Sequence, residues 1–475
     1  MPYVTHSRGL QLKKELSGTD SDVITPDDEE EYAESIKRFS ESCEREAGAV
    51  VRVSSPDEVS KVVKFATKHH IPIAVKGAAY STSASSSTHG GIVIDLCKFS
   101  RVIVDPESHT VTAQGGATWE NVDRAAARFR LAVVGPTTNY ISVGGTALGG
   151  GYGWLTGRYG LVIDNLLSLR MVLADGRIVN ASAEENPDLF WAARGAGQDF
   201  GVATELVFKA YPQSNEVFGG VLYFSLDKLP DIVDFVNGFE HQTTGNEGLF
   251  FGFDRPPIVE KTMILTILFY NGSETEAREF FQPLLSLAPT VNETEMMPYI
   301  RMNTLMNKAA KFGGRKRISG TNFTLPLDIK LLEELCQDFD NIMKTYPRVN
   351  QSALMFELLP YNEVIKVPND ATAFMNRGRY YNVASIFCWH APEIDSKMKS
   401  LQQSMMQKIG ERAGIARSPH LGDGTGLYAN FVGHDASAKD LFGDSLPRLQ
   451  ELKMKYDPTN VFRKWHDLFD HKNVV

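Results

Sequence analysis

Two glycine-rich stretches carry the clearest chemical signal in this 475-residue chain. The first, Lys76-Gly77-Ala78-Ala79-Tyr80-Ser81, follows the apolar run 71–75. The second is Val143-Gly144-Gly145-Thr146-Ala147-Leu148-Gly149-Gly150-Gly151-Tyr152-Gly153-Trp154. Residues without a bulky Cβ substituent let the backbone bring its N–H groups against an anion, and a pyrophosphate is the ligand such loops suit. Together they point to a dinucleotide cofactor. A metal is not indicated: Cys43, Cys97, Cys336 and Cys388 are far apart and form no C-x-x-C pair, so they read as small buried hydrophobes.

The elements that position these loops follow from residue periodicity. An acidic helix start lies at 25–31, where Thr25 can cap and Pro26 can take the first helical position. Residues 49–53 read as a strand, 55–66 as a helix with Val59, Val62, Val63 and Ala66 on one face, and 71–75 as a second strand. This β-α-β unit delivers the chain into the first glycine loop. A strand at 92–96, a hairpin at 101–113 turning at Pro106-Glu107-Ser108, and strands at 169–173 and 201–208 follow. Beyond Tyr211-Pro212-Gln213 the pattern changes. Apolar runs at 219–224, 249–253, 263–270, 353–359 and 380–389 alternate with helical stretches such as 273–287 and 331–346, which suits an antiparallel sheet covered by helices on one side.

Composition bounds the function. The chain is 43% hydrophobic and long enough for two lobes, and 49 Lys and Arg against 58 Asp and Glu give a formal net charge of -9. That balance argues against nucleic acid or an anionic membrane as the main partner and favours a small-molecule substrate. The first fourteen residues lack an apolar signal-peptide core and no run is long and apolar enough to span a bilayer, so a cytoplasmic location is expected.

An ordered set of motifs then resembles a known family. It comprises the loop 76–81, Gln114-Gly115-Gly116, the second glycine stretch continuing into Leu155, Tyr159-Gly160-Leu161 with Asp164-Asn165, Asn186-Pro187-Asp188-Leu189-Phe190-Trp191-Ala192 with Arg194-Gly195-Ala196-Gly197, Tyr428-Ala429-Asn430, and Tyr456-Asp457-Pro458-Thr459-Asn460-Val461-Phe462. The chain resembles FAD-linked oxidoreductases of the berberine-bridge-enzyme-like branch, within the superfamily of vanillyl-alcohol oxidase and p-cresol methylhydroxylase. The resemblance covers most of the sequence. It implies an α+β fold: an FAD-binding domain over 1–213 with its core from about 45, a substrate domain over 214–424 with an antiparallel sheet covered by helices, and a segment 425–475 returning to the first domain. It further implies that FAD is held by Lys76, Gly77, Ala78, Ala79, Tyr80, Ser81, Pro136, Thr138, Ser142, Gly144, Gly145, Gly149, Gly150, Gly153, Trp154, Asp164, Val202, Tyr428 and Asn430.

The departures from the family pattern shape the expected chemistry. The family's first loop typically reads Arg-x-Gly-Gly-His-Ser, with the histidine bonded to the flavin; here that position is Tyr80, and Thr138 stands where some members carry a second, cysteine link. Non-covalent FAD is therefore expected. His89, before Gly90-Gly91, reads as a turn residue. The family's Tyr-x-Asn-Tyr supplies a base from its last position; here Phe431 occupies it and cannot accept a proton, while Asn382 and Ala384 fall where other members place a glutamate or lysine. Tyr80, Asn382 and Tyr428 remain as catalytic candidates, with Asn430, His390 and Glu357 beside them. Glu357 reads either as a catalytic carboxyl or as a strand carboxylate paired with an arginine such as Arg377, and His390 as a surface or capping residue. The expected activity is dehydrogenation of a small apolar or aromatic metabolite by hydride transfer to flavin N5, with oxygen as acceptor. The alternative is a non-redox cyclase or pericyclase on the same scaffold.

Overall fold

The computed structural model describes residues 3–213, 215–256, 259, 261–346, 349, 351–417, 424–433 and 436–469. The expected junction at 214 and the residues just before 424 lie outside the described residues. Among the described residues, three sheets organise the chain. The first runs Asp22–Ile24, Ala49–Arg52, Ile92–Asp95, Ile73–Lys76, with the last three strands parallel. The helix Pro56–Lys68 makes their crossover: Ser55 caps it by accepting from the Glu58 N–H at 3.3 Å, and Pro56 occupies its first turn.

The second sheet is antiparallel, in the order Val102–Asp105, Thr110–Gln114, Gly201–Pro212, Leu166–Leu173, Ile178–Ser182, with Leu131–Val133 on the far end of Gly201–Pro212. The third is larger and also antiparallel: Val291–Asn292, Val217–Phe224, Met263–Tyr270, Glu247–Asp254, Ala353–Leu358, Tyr381–Trp389, Arg315–Phe323, with Glu295–Met297 against Val217–Phe224. Its strands are buried on both faces, and parity along each strand divides the faces. Phe218, Leu222, Leu249, Phe251, Leu354, Phe356, Leu358, Tyr381 and Val383 pack with residues of the helices Leu229–Asn237, Ile329–Thr345 and Asp395–Ala413. The alternate residues Phe250, Ile267 and Phe269 join the core of the first lobe. Glu357 and Asn382, directly paired across neighbouring strands, have the parity of this second face.

One expected element differs, and one strand was not expected. The helix over 273–287 is two helices, Glu274–Phe280 and Gln282–Leu285, because Pro283 has no N–H to continue the first ladder. The strand Arg315–Phe323 opens with three cationic residues, so no apolar run marks it; its Lys316 is nonetheless buried, donating to the Phe39 carbonyl at 2.9 Å.

The C-terminal segment is tied to the first lobe by one buried pair. Lys453, on the helix Leu446–Tyr456, donates to Asp457 Oδ2 at 2.7 Å, to the Phe462 carbonyl at 2.5 Å and to the Asp199 carbonyl. The Asp457 carboxylate in turn accepts from the Val461 and Phe462 N–H groups at 2.8 and 2.9 Å. Both side chains are fully enclosed. Lys453→Met would strand a buried carboxylate, a loss of about 3–5 kcal/mol. Thermal unfolding of the variant is expected to shift to clearly lower temperature, and an unchanged midpoint would refute this account of the tail.

Candidate active site

A cleft lies between the first and second sheets, closed on one side by the C-terminal segment. Gly77 comes from the end of Ile73–Lys76, Ser142, Gly144 and Gly145 from the start of the short helix Val143–Ala147, and Gly201 and Val202 from the strand Gly201–Pro212. The two glycine loops touch: a Cβ on Gly77 would lie 2.4 Å from Ser142 Oγ. Gly145 differs, since a Cβ there would meet only Ser142 Oγ, at 3.0 Å, and otherwise extend into open space. The cleft is therefore bounded by bare backbone, as a ligand in close contact with the main chain requires.

Backbone donors are available on one rim. From Gly77 to Thr82 no N–H donates to any group among the described residues. Ala79, in the middle, has φ of 64°, a left-handed conformation that costs a non-glycine residue about 1–2 kcal/mol. Consecutive free N–H groups around a left-handed residue form a nest for an anion. Gly144 contributes no donor, because its N–H is spent on the Gly115 carbonyl at 3.2 Å. Lys464 also lines the cleft. Its burial, with Arg463 and Arg45 adding like charge, holds its ammonium below the ordinary lysine range. A phosphate would relieve that repulsion. The donor set and the unfilled space fit the diphosphate of FAD.

Of the residues expected around the cofactor, Gly77, Ser142, Gly144, Gly145 and Val202 line this cleft. Lys76 instead donates to Asp95 at 2.9 Å and to the Ser35 carbonyl at 3.2 Å. Ala78 and Ser81 lie on the donor-rich loop; Ser81 pairs its hydroxyl with Ser83 at 2.8 Å. Thr138 faces the Tyr140 phenol, and Pro136 abuts Gly153, whose Cβ would fall 1.6 Å from the Gly135 carbonyl. Gly149 and Gly150 are similarly crowded by Asn430 and Phe374, so the second half of the glycine stretch is a packing junction between lobes. Trp154 packs on Phe250 and Phe269 of the large sheet at centroid distances of 4.6 and 5.4 Å. Asp164 is held by Arg377, which donates to both its carboxylate oxygens at 3.0 and 2.5 Å. Arg377 is thus unavailable to Glu357, and the pairing considered between them does not occur.

A second, smaller pocket lies on the face of the large sheet toward the first lobe, lined by Tyr152, Glu357, Leu359, Tyr361, Val364, Gly378, Tyr380, Tyr381 and Asn382. The two regions are connected through polar contacts. Asn430 Nδ2 donates to the Thr146 carbonyl at 3.2 Å and to the Tyr428 hydroxyl at 2.9 Å, and the Gly151 N–H donates to the same hydroxyl at 3.1 Å. Tyr428 thus accepts twice and keeps its own proton, and burial pushes its phenol above the ordinary tyrosine range. It is a donor rather than a base. Beyond it, Tyr152 donates to the Asn376 carbonyl at 2.6 Å, and Asn376 Nδ2 donates to Asn382 Oδ1 at 3.0 Å.

Tyr80 stands apart from Asn382 and Tyr428. Its ring sits among Phe39, Tyr140 and Phe312 at centroid distances of 5.0, 4.6 and 5.3 Å, and its hydroxyl donates to the Ala310 carbonyl at 3.1 Å. His89 and His390 are exposed, and His89 lies edge-on to Tyr3. Sequence reasoning missed Gln198, Phe462, Lys464 and Trp465 on the cleft and Tyr152, Tyr361 and Tyr381 in the pocket. Of these, Tyr152 lies within the second glycine stretch and Phe462 within the motif at 456–462, the one signal that the tail returns here; the others belong to neither. Among the described residues no cluster of His, Cys, Asp and Glu could hold a metal, and no helix is long and apolar enough to cross a membrane.

Comparison with known proteins agrees with this geometry. A family model described as an FAD binding domain matches residues 47–182, and one described as berberine and berberine like matches 427–466. The chain is 36% identical to FAD-linked oxidoreductase pgmH of Aspergillus terreus, over 96% of this chain and 94% of that protein. It is 30% identical to FAD-linked oxidoreductase hasG of Aspergillus fumigatus, over 94% and 96%. Among solved structures, BBE-like 1 of Physcomitrella patens superimposes with a TM-score of 0.83 at 20% identity, covering 96% of this chain and 98% of that one. The 6-hydroxy-D-nicotine oxidase of Arthrobacter nicotinovorans does so with 0.80 at 20%, covering 94% and 98%. With a cleft bounded by bare backbone and an aromatic pocket on the facing sheet, the two family models and the similarity over nearly the whole chain to fungal FAD-linked oxidoreductases place the chain in the berberine-bridge-enzyme-like family of FAD-linked oxidoreductases.

Proposed function

We propose that this enzyme binds FAD without a covalent link and dehydrogenates a small apolar or aromatic metabolite, with oxygen restoring the oxidised cofactor. The observation that carries the cofactor reading is the run of free N–H groups from Gly77 to Thr82 beside a cleft with an unfilled face at Gly145. Bound FAD supplies a two-electron acceptor for hydride. The chain's own residues bind and orient. The loop around Ala79 and the Lys464 ammonium hold the diphosphate, while Tyr428, fixed by Gly151 and Asn430, presents one hydroxyl proton near the second pocket.

The absence of a covalent anchor is supported by the replacement of histidine with Tyr80, whose hydroxyl is already engaged by Ala310. The substrate class is supported by the pocket walls: four tyrosines, two aliphatic side chains, one amide and one carboxyl, with no cation among them. Asn382, Ala384 and Phe431 at the family's base positions favour a second reading, a non-redox cyclase that uses the pocket to orient a reactive chain.

Two measurements test this. Acid precipitation of purified protein is expected to leave yellow FAD in the supernatant; flavin retained in the pellet would overturn non-covalent binding. Under anaerobic conditions the physiological substrate bleaches the flavin if the reaction is a dehydrogenation and leaves its colour unchanged if the enzyme is a non-redox cyclase. Independently, Gly145→Leu would fill the open face of the cleft and is expected to weaken FAD binding about tenfold or more. Titration of the stripped protein checks this, and its unfolding temperature without FAD is expected to stay near that of the parent, since Gly145 packs against nothing else.

A further inference from the structure

Glu357 is a buried carboxyl with no partner. Its neighbours Phe356 and Leu358 face the helices, so strand alternation turns Glu357 toward the first lobe, where it lines the small pocket opposite Asn382. Among the described residues nothing donates a hydrogen bond to it and no cation pairs with it, although it is only 9% exposed. Arg377, the nearest arginine in sequence to the pocket strands that is also buried, is committed to Asp164. A buried polar group without a partner is costly, of order 1–3 kcal/mol or more when charged, so the pocket is arranged around whatever enters it.

We propose, on the reading of the enzyme as a flavin dehydrogenase, that Glu357 is the proton acceptor of the reaction and that the group it receives the proton from is a substrate hydroxyl. The residues at the family's base positions here, Phe431, Ala384 and Asn382, take no proton, and the Glu357 carboxyl stands directly across from one of them. In the step, the substrate O–H bond breaks and a new O–H bond forms on Glu357. The electron pair left on the substrate oxygen closes to a carbonyl as the carbinol hydrogen departs with its own pair to the flavin. The sum is an alcohol becoming a carbonyl, one proton and one hydride, and the proton resides on Glu357 until it passes to solvent.

The surroundings favour a hydroxyl over an amine. Tyr152 from the glycine stretch, Tyr361 after the strand Ala353–Leu358 and Tyr380 before the next strand line the pocket with the carboxyl, and Tyr428 from the tail lies near it, all of them neutral phenols raised by burial, while Tyr381 turns to the helices. The cations acting on these phenols are Arg377, on Tyr152 and Tyr380, and Arg379, on Tyr361. Glu240, beyond Tyr361 and Tyr381, is the other carboxylate nearby. A protonated amine beside Glu357 would be locked as an ion pair and keep the proton that oxidation must remove. Burial pushes the Glu357 carboxyl up to about 8, so it is neutral below that and gains acceptor capacity as pH rises through it.

The test uses the holoenzyme, Glu357→Gln, Glu357→Asp, and phenol as the probe. Difference infrared spectra are expected to contain a protonated carboxyl band in the parent that is lost in Glu357→Gln and titrates near the same pH. Because the hydroxyl binds best to the ionised carboxylate, phenol affinity is expected to rise about tenfold between roughly pH 6.5 and 9 in the parent. In Glu357→Gln it is expected to be flat, with partial pH dependence restored in Glu357→Asp. Phenol binding that ignores the substitution, or no phenol binding, would each overturn the proposal. So would benzylamine showing the Glu357-dependent binding in place of phenol. Flavin absorbance of the same samples separates the two readings: loss of FAD from the parent defeats the dehydrogenase reading, whereas bound FAD with an indifferent Glu357 defeats this one alone.

Discussion

The contact on which the site depends is the buried ion pair between Arg377 and Asp164. Asp164 belongs to the short turn Val162–Asn165, which follows the glycine stretch of the first lobe, and Arg377 to the irregular segment that leads into the strand Tyr381–Trp389. The guanidinium is 1% exposed, so neither charge can be released to water, and separating them would cost about 3–5 kcal/mol. Its two parallel hydrogen bonds fix orientation as well as distance. On one side of Arg377 is Asn376, which holds Asn382; on the other is Gly378, which lines the pocket. The pair thereby ties the segment after the glycine stretch to the sheet that carries the pocket.

Around that pair the lobes share one interior. Trp154 leaves the glycine stretch to pack on Phe250 and Phe269, and Gly149, Gly150 and Gly153 are small because Asn430, Phe374 and the Gly135 carbonyl occupy the space a side chain would need. Glycine in this chain therefore serves two separate physical ends. At Gly145 it leaves room for a ligand, and a few residues later it leaves room for the other lobe. The Lys453–Asp457 knot adds the third wall, since the turn it organises presents Phe462, Lys464 and Trp465 to the cleft.

Tyr80 joins distant segments by packing. Its phenol bridges the first glycine loop to the Ala310 carbonyl and closes an aromatic group with Phe39, Tyr140 and Phe312.

Much was legible from residue order alone. Alternation and capping located the parallel β-α-β unit within a residue or two, the glycine stretches marked backbone that bounds the cleft at Gly77, Gly144 and Gly145, and the collinear motifs carried the family. Those signals are local: a strand's parity, a cap and a turn glycine act over a few residues, and each is written where it acts. What the tertiary structure decided was partnership. Whether Arg377 neutralises Glu357 or Asp164, whether Gly149 faces a phosphate or the Asn430 side chain, and whether Lys464 points at solvent or at the cleft depend on segments hundreds of residues apart arriving at one place. A side chain's composition states what it can bond to, and only burial beside a particular neighbour settles which bond it makes, because in a dry interior every donor must find its acceptor among the few groups that packing brings within reach.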